Sequence, residues 1–170
     1  MRDDFRADVG AIESAGLFKQ AARTPEFWTS KRDALWAERR LLAGAGNAKR
    51  VDVESESFGA GSGTYGALKK LAQSGVPCRL LVAERDVNEK SARALAALVR
   101  AGVAVRLSDS DEKMALVDGT RAWIGSANST SAHYNGDQIE WGLRTDAPDV
   151  LRHYSRRFQT TWNKATPFTA

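Results

Sequence analysis

The sequence predicts an α/β fold in which a mixed, largely parallel β-sheet is flanked by helices on both faces. Short apolar segments of strand length alternate along the chain with segments whose apolar residues recur at helical spacing. Glycines follow the helical segments, where helices commonly end. With 170 residues, of which 42% are hydrophobic and 27% charged, the chain suits one globular domain with a substantial core.

The first 47 residues are predicted to form a helical extension that precedes the main domain, residues 48–170. Thr24-Pro25-Glu26 favours a helix start, because threonine can cap, proline suits the first turn and glutamate complements the helix dipole. This helix would run to about Leu42. Two tryptophans eight residues apart would share one face of it and pack in the core, Trp28 and Trp36.

Strands and helices are predicted to alternate through the main domain. The predicted strands are 51–58, 78–82, 103–107, 114–117, 121–124 and 139–144. The predicted helices are 65–73, 88–100 and 149–162. No apolar segment of the sequence is long enough to predict a membrane span.

Asp118-Gly119 separates two short apolar strands and is a strong signal for a two-residue type I′ hairpin turn. With that turn, Lys113 would pair with Ile124, and Asp111 would pair with Ser126. Because side chains alternate along a strand, the opposite, core-facing side of the hairpin would receive Met114, Leu116 and Trp123.

The open end of this hairpin would gather polar side chains suited to hold a phosphate. Lys113 supplies a cation, Ser126 a hydroxyl and Asn128 an amide, and all three would project from one face together with Asp111. Gly125 would let the backbone approach a ligand closely. From the residues alone, the alternative is an ordinary hairpin with one polar face.

The spacing of these residues resembles the signature of the phospholipase D superfamily: His-x-Lys, four residues, Asp, six residues, then Gly-Ser-x-Asn. The residues that match at this spacing are Lys113, Asp118, Gly125, Ser126 and Asn128. Glu140 resembles an acidic residue that nucleases of the family place beside the catalytic histidine. The resemblance extends over roughly residues 48–165, so residues 48–170 look like a phospholipase D-like phosphodiesterase domain.

This resemblance implies a metal-independent phosphodiesterase without a cofactor, in which two copies of the motif meet at one active site. One histidine forms a phosphohistidine, and the other exchanges protons with the leaving group and water. The chain holds one copy, which implies a homodimer with a composite site. The implied catalytic positions are Asp111 (the histidine position), Lys113, Asp118, Ser126, Asn128 and Glu140, and the implied phosphate-binding positions are Lys113, Gly125, Ser126 and Asn128.

The substrate implied by the resemblance is nucleic acid, because small single-motif members of the family are mostly nucleases. A phospholipase or phosphatidyltransferase of the same superfamily is the alternative. A net charge of +4 and a pI of about 9.4 are compatible with a polyanionic partner.

The family's histidine is replaced by Asp111 in this chain. A carboxylate would approach an anionic diester, and two copies would repel each other at a dimer axis, so hydrolysis is expected to be strongly impaired. Three explanations stay open: an introduced substitution, a naturally degenerate nucleic-acid-binding member, or changed chemistry in which paired carboxylates hold a divalent metal. The histidines of the sequence are His133, in the loop after the motif, and His153, on the closing helix.

A glycine-rich turn supplies a competing hypothesis, a dinucleotide-binding domain. Gly61-Ser62-Gly63-Thr64-Tyr65-Gly66 fits Gly-x-Gly-x-x-Gly between a predicted strand and a predicted helix. Glu84 and Asp86 follow at about the distance at which such domains place an acidic residue.

Cysteine usage and the N-terminal sequence bear on metal binding and location. The single cysteine, Cys78, excludes an internal disulfide and a cysteine-rich metal site. The charged N-terminus lacks an apolar signal segment. We therefore expect a cytoplasmic protein, or a periplasmic or secreted one if a signal peptide has been removed.

Overall fold

The computed structural model describes residues 26–130 and 139–169. The strands are β1 (Glu26–Trp28), β2 (Val51–Ser55), β3 (Cys78–Ala83), β4 (Ala104–Ser108), β5 (Met114–Val117), β6 (Arg121–Gly125), β7 (Gly142–Thr145) and β8 (Thr166–Pro167). The helices are α1 (Lys31–Ala43), α2 (Gly63–Gln73), α3 (Glu89–Arg100) and α4 (Pro148–Lys164), with one 3₁₀ turn at Glu84–Asp86.

The strands form one mixed sheet in the order β1-β7-β6-β5-β2-β3-β4-β8. Strands β2, β3 and β4 run parallel to one another and are joined by α2 and α3, which is the expected arrangement for strand–helix–strand units. The other pairings of the described strands are antiparallel, and they outnumber the parallel ones. The predicted mixed α/β sheet is confirmed, with the parallel part confined to β2, β3 and β4, next to the edge strand β8.

Helices cover both faces of the sheet, as the sequence predicts. One buried cluster contains the inward faces of α1, α2 and α3 with alternate strand residues such as Val51 and Val53. A second cluster packs α4 on the opposite face, around Phe158 and Met114. Strands β3, β5 and β6 contribute alternate side chains to both clusters, so this part of the sheet is buried on both sides.

The α4 face also contains charged strand residues that are paired within the protein. Asp52 of β2 is buried, and its carboxylate accepts hydrogen bonds from Arg79 of β3, with an Nε–Oδ1 distance of 2.7 Å. The guanidinium of Arg79 lies 4.8 Å from the ring centre of Phe158 and 4.9 Å from that of Trp162. This stacking gives α4 a polar and aromatic attachment to the sheet in addition to apolar contacts.

The segment predicted to begin the first long helix is instead a strand. Glu26–Trp28 forms β1 and pairs antiparallel with β7, and α1 begins later, at Lys31. Ser30 is the N-cap, and its hydroxyl accepts a hydrogen bond from the Asp33 backbone N–H at 3.2 Å. The predicted cap residues Thr24 and Pro25 lie outside the described residues. Pairing with a sheet edge that is distant in sequence decides the conformation here.

Two further predictions differ from the structure at the ends of elements. Trp28 packs against the core, but Trp36 is 49% exposed, so the tryptophans do not share a buried face. The last predicted strand begins at Gly142 rather than at residue 139, and Ile139 is 85% exposed. Residues 26–43 belong to the same sheet and core as the later elements, while the predicted domain boundary at residue 48 stays a prediction.

Candidate active site

The β5–β6 hairpin turns at Asp118-Gly119, but its register differs from the prediction by one residue. Both turn residues have positive φ angles, 57° and 64°, and the Thr120 N–H bonds to the Val117 carbonyl at 3.0 Å. Thr120 then stays out of the ladder, and Val117 pairs with Arg121. The extra residue in the turn is the physical reason for the shift.

The register shift moves Trp123 to the opposite side of the sheet from the predicted one. Trp123 pairs with Ala115 and is fully buried beneath α1, whereas Met114 and Ile124 face α4. The predicted pairing of Asp111 with Ser126 is wrong for the same reason. Asp111 lies before β5, outside the ladder, with its side chain exposed.

Lys113 lies at the open end of the hairpin, where its side chain contacts a carboxylate. Its carbonyl accepts the Gly125 N–H at 3.1 Å, which fixes its position opposite β6. The ammonium Nζ donates to Glu56 Oε2 at 2.8 Å and to the Asp111 carbonyl oxygen at 2.5 Å. Residue 111, the histidine position of the motif, is therefore adjacent to the motif lysine.

Glu56 follows the end of β2 and is held by two cations. Arg85 donates from Nη2 to Glu56 Oε1 at 2.8 Å, and its other terminal nitrogen donates to the Asp109 carbonyl oxygen at 2.9 Å. Burial alone would raise the pKa of Glu56, but hydrogen bonds from Lys113 and Arg85 outweigh it and lower the pKa to about 2. Glu56 is thus ionised near neutral pH.

Sequence reasoning missed Glu56 and Arg85. The available signal was the change of strand 51–58 from valines to acidic and serine residues at its carboxyl end. Carboxyl ends of parallel strands meet at one edge of a sheet, where ligands commonly bind. No local pattern in the sequence indicates that Arg85, which follows β3, contacts Glu56.

Asn128 joins this group from the segment after β6. Its Oδ1 accepts the Ser57 backbone N–H at 3.0 Å and lies 3.4 Å from Ser55 Oγ. A hydrogen bond from Asn128 also contributes to lowering the pKa of Glu56. Lys113 and Asn128 therefore both contact the residues at the end of β2, Lys113 through Glu56 and Asn128 through Ser57.

Ser126 forms a second group at the open end with Glu140. Ser126 Oγ donates to Glu140 Oε2 at 2.6 Å and accepts the Trp141 backbone N–H at 2.9 Å. The Ser126 N–H bonds to the Trp141 carbonyl at 3.0 Å, so the residue is fixed against the segment leading into β7. The hydroxyl is oriented by protein contacts before any ligand is present.

Gly125 is required by close packing within the protein. A Cβ atom at this position would lie 2.4 Å from the Trp141 carbonyl oxygen and 2.8 Å from the Trp123 ring. The sequence predicted that Gly125 lets the backbone approach a ligand closely. In the structure, atoms of Trp141 and Trp123 occupy the space that a Cβ of residue 125 would need, so the close approach is to the protein itself. A substitution here would push β7 away from β6.

Asp118, the remaining motif residue, lies at the turn end of the hairpin. Its Oδ1 accepts the backbone N–H groups of Lys49, at 2.8 Å, and Arg50, at 3.0 Å. The Asp118 N–H bonds to the Arg50 carbonyl at 3.0 Å. These contacts attach the turn to the chain entering β2, at the opposite end of the sheet from Glu56.

A fully buried acid supports the segment that carries Asn128. Glu38 of α1 accepts hydrogen bonds from Thr64 Oγ1 at 2.7 Å and from Ser129 Oγ at 2.9 Å. Burial raises the pKa of Glu38 to about 7, although these two hydrogen bonds act in the opposite direction. Ser129 is also bound through its N–H to Ser55 Oγ at 2.9 Å.

The other predicted candidates lie apart from the open end or outside the described residues. His153 is exposed on α4 with its ring edge-on to Tyr154 at 5.1 Å, and His133 lies in the undescribed segment 131–138. Within residues 26–130 and 139–169, no cluster of acidic, histidine or cysteine side chains could hold a metal ion. No helix among those residues is long and apolar enough to cross a membrane.

The glycine-rich turn leads into α2, as the dinucleotide hypothesis requires. Ser62 caps α2 by accepting the Tyr65 N–H at 3.0 Å. The side chain of Arg39 lies across Gly63, with its Cδ only 2.8 Å from where a Cβ would stand. Asp86, one of the acidic residues of that hypothesis, instead accepts a hydrogen bond from Ser57 Oγ at 3.0 Å.

Solved structures with the same fold include two chains of similar size. Nuc from Salmonella typhimurium, a phospholipase D family member, is 20% identical, with a TM-score of 0.69 over 86% of this chain and 99% of that chain. NucT from Helicobacter pylori is 19% identical, with a TM-score of 0.66 over 85% and 98% of the two chains.

A larger protein contains the same fold as a part. Polyphosphate kinase from Porphyromonas gingivalis is 18% identical, with a TM-score of 0.67 over 82% of this chain but 26% of the kinase. At these identities the likeness shows the fold alone.

Sequence comparisons complete the assignment. No curated protein sequence matches this chain. A family model described as "Cardiolipin synthase, PLD-like domain" matches residues 39–162, which is well over half of the chain and includes the whole hairpin. The chain therefore belongs to the phospholipase D-like domain family.

Proposed function

We propose that this chain is a phosphodiesterase of the phospholipase D type, directed at nucleic acid, whose site binds phosphate but lacks its nucleophile. The observation that carries the proposal is the ion pair between Lys113 and Glu56 at the end of β2, next to Asn128, whose Oδ1 accepts the Ser57 N–H. Carboxylate and phosphate oxygens accept the same charged and amide donors. A phosphodiester that displaces Glu56 would meet donors that are already in place.

Two observations support residue 111 as the position that would complete this site. Its carbonyl oxygen is 2.5 Å from Lys113 Nζ, and its side chain is exposed rather than packed. A histidine at this position would stand beside a phosphate held by Lys113, where it could attack phosphorus. Asp111 offers a weaker nucleophile that repels the anionic diester, so hydrolysis is strongly impaired, while Lys113, Ser126 and Asn128 can still bind phosphate.

Ser126 and Glu140 would serve the same reaction as a second group. The Ser126 hydroxyl can turn from Glu140 towards a phosphoryl oxygen, and Glu140 can then accept a hydrogen bond from a neighbouring imidazole. One chain supplies one motif copy, so the complete site would form between two chains of a homodimer. Light scattering tests this step, and a monomer at working concentration would remove the composite site.

The test of the proposed function is Asp111→His, compared with Asp111→Asn. The asparagine variant removes the negative charge without supplying a nucleophile. We expect the histidine variant alone to cleave single-stranded DNA, RNA or bis(p-nitrophenyl) phosphate in the presence of EDTA. If Asp111→His is folded and dimeric but leaves all three substrates intact, the proposed function is wrong.

A lipid phosphodiester is the second candidate substrate, and one observation favours it. The matching family model is described by the name of cardiolipin synthase. The same Asp111→His variant should therefore also be given phosphatidylglycerol vesicles, with the lipid products separated by thin-layer chromatography. Formation of cardiolipin or phosphatidic acid, with oligonucleotides untouched, would replace nucleic acid by lipid as the substrate.

A further inference from the structure

The exposed side of α1 combines an aromatic ring with arginines. Trp36 is 49% exposed, and it stands one helical turn after Arg32 and one turn before Arg40. Both arginines are exposed, and the Arg40 guanidinium carbon lies 4.7 Å from the centre of a Trp36 ring. This ridge, defined by Arg32, Trp36 and Arg40, serves no purpose in the packing of the core.

A cleft of about 160 Å³ lies beside the ridge, between α1 and the start of α2. Trp36, Arg32 and Arg39 line one side, and Gly63 and Thr130 line the other. Thr130 is two residues beyond Asn128, and its N–H bonds to the Asn128 carbonyl at 2.7 Å. The cleft therefore leads along the surface from the ridge to the segment that supplies Asn128.

The charge around the ridge favours an anionic occupant. Helix α1 contains four basic residues and two acidic ones, and of the two acids only Asp33 is exposed. Glu38 is fully buried and bonded to Thr64 and Ser129. Asp33 is at the first turn and accepts a hydrogen bond from the Ser30 hydroxyl at 2.7 Å.

We propose that this ridge binds single-stranded nucleic acid, with Trp36 stacking on a base and Arg32 and Arg40 contacting the flanking phosphates. Stacking on an exposed aromatic ring accepts every base, and arginines beside it follow the backbone, which is how sequence-tolerant binding of single strands is achieved. The cleft would lead the bound strand towards Asn128. This inference rests on the proposed function, since it names single-stranded nucleic acid as the form of substrate.

The experiment measures binding without turnover. A short fluorescein-labelled oligothymidylate is titrated with the full chain in EDTA, and fluorescence anisotropy gives the dissociation constant over a range of salt concentrations. Inorganic polyphosphate of similar length serves as a polyanion without bases. The variants are Trp36→Leu, Trp36→Phe, Arg32→Ala and Arg40→Ala, and Arg156→Ala is the matched control, an exposed arginine on α4 across the sheet.

Trp36→Leu is expected to weaken oligothymidylate binding about tenfold, as for the loss of one stacked base, and Trp36→Phe to retain most of it. Competition by polyphosphate should be the same for Trp36→Leu and the unaltered chain. Arg32→Ala and Arg40→Ala should each reduce the slope of log K against log salt by about 0.7. Arg156→Ala should leave both quantities unchanged.

Several results would overturn the inference. One is an unchanged dissociation constant for Trp36→Leu, and another is a loss for Arg156→Ala as large as that for Arg32→Ala. A change in solution mass for Trp36→Leu would make the ridge a contact between subunits instead. If Trp36→Leu does not fold, Trp36→Phe and the arginine variants still decide the question. Absence of cleavage by Asp111→His would defeat the proposed function alone, because these readouts are binding constants.

Discussion

The two ends of the β5–β6 hairpin carry residues of one sequence motif in very different surroundings. At the turn end, Asp118 accepts two backbone N–H groups and has the contacts of a structural anchor. At the open end, Lys113 contacts Glu56, Asn128 contacts the Ser57 N–H, and Ser126 contacts Glu140. The difference indicates that one part of the motif stabilises the fold, while the other part holds the polar side chains that we propose bind phosphate.

The open end is also where the chain buries polar groups at a cost in stability. Glu38 is fully buried beneath Ser129, and its pKa is raised to about 7. Glu56 is held by Lys113 and Arg85. The turn end, by contrast, satisfies backbone groups with an exposed carboxylate. Substitutions at the open end should therefore change binding or pH dependence, and those at the turn end should change stability.

The largest effect is expected from Lys113→Ala in the Asp111→His background. Loss of a donor that stabilises charge on a phosphoryl oxygen lowers kcat by about 10²- to 10³-fold in comparable sites. Cleavage of bis(p-nitrophenyl) phosphate in EDTA measures it. The Lys113 side chain is only 17% exposed and its ion pair with Glu56 is part-buried, so cleavage is compared at a temperature where urea unfolding shows both proteins to be folded.

Glu56→Gln tests the same contact, but it is expected to strengthen the binding of phosphate instead of weakening it. Without the carboxylate, Lys113 is available to phosphate, so oligonucleotide binding should tighten by several-fold. Glu84→Gln is the matched control, because Glu84 is an exposed acid nearby in the 3₁₀ turn. Equal tightening in both variants would mean that general charge, and not competition for Lys113, sets the affinity.

The next prediction concerns how the free energy of unfolding depends on pH through Glu38, near the open end. Between pH 4.5 and about 7, folded Glu38 keeps a proton that the unfolded chain has released. The free energy of unfolding should therefore be highest below this window and fall as pH rises through it, by about 3 kcal/mol for this shift. Glu38→Gln should remove this part of the decline.

Urea unfolding of the two proteins at pH 5 and pH 8 measures the decline. The unaltered chain should lose more stability than Glu38→Gln between these values. Buried Glu54, whose pKa is likewise raised to about 7 by burial, should leave a residual decline in both proteins. Parallel curves for the two proteins would show that Glu38 does not hold its proton in the folded chain.

The sequence was informative where a feature depends on local spacing. The strand–helix alternation predicted the central sheet, and the spacing of Lys113, Ser126 and Asn128 placed all three at the open end. The predicted face was wrong for Trp123, because the one extra turn residue, Thr120, reverses the alternation. Turn dipeptides alone do not reveal how many residues stay outside the ladder.

Features made by distant segments could not be predicted in this way. Arg85 reaches Glu56 from the loop after a different strand, and β1 forms because it meets the edge of β7. Neither relation leaves a periodic signal in the sequence. The catalytic roles of the motif residues, including that of Glu140, remain predictions that the Asp111→His background makes testable.

The smallest effect is expected from Asp118→Ala, which tests whether the turn end acts on stability alone. Asp118→Ala removes the acceptor for the Lys49 and Arg50 N–H groups, and the unfolding free energy should fall by about 1 kcal/mol because the site is exposed. Asp118→Asn keeps an acceptor oxygen at the same place and should retain most of the stability. Urea unfolding measures both, and oligonucleotide affinity should stay unchanged. A loss of affinity in folded Asp118→Ala would show that the two ends of the hairpin act together, and the division of the motif into anchor and binding groups would be wrong.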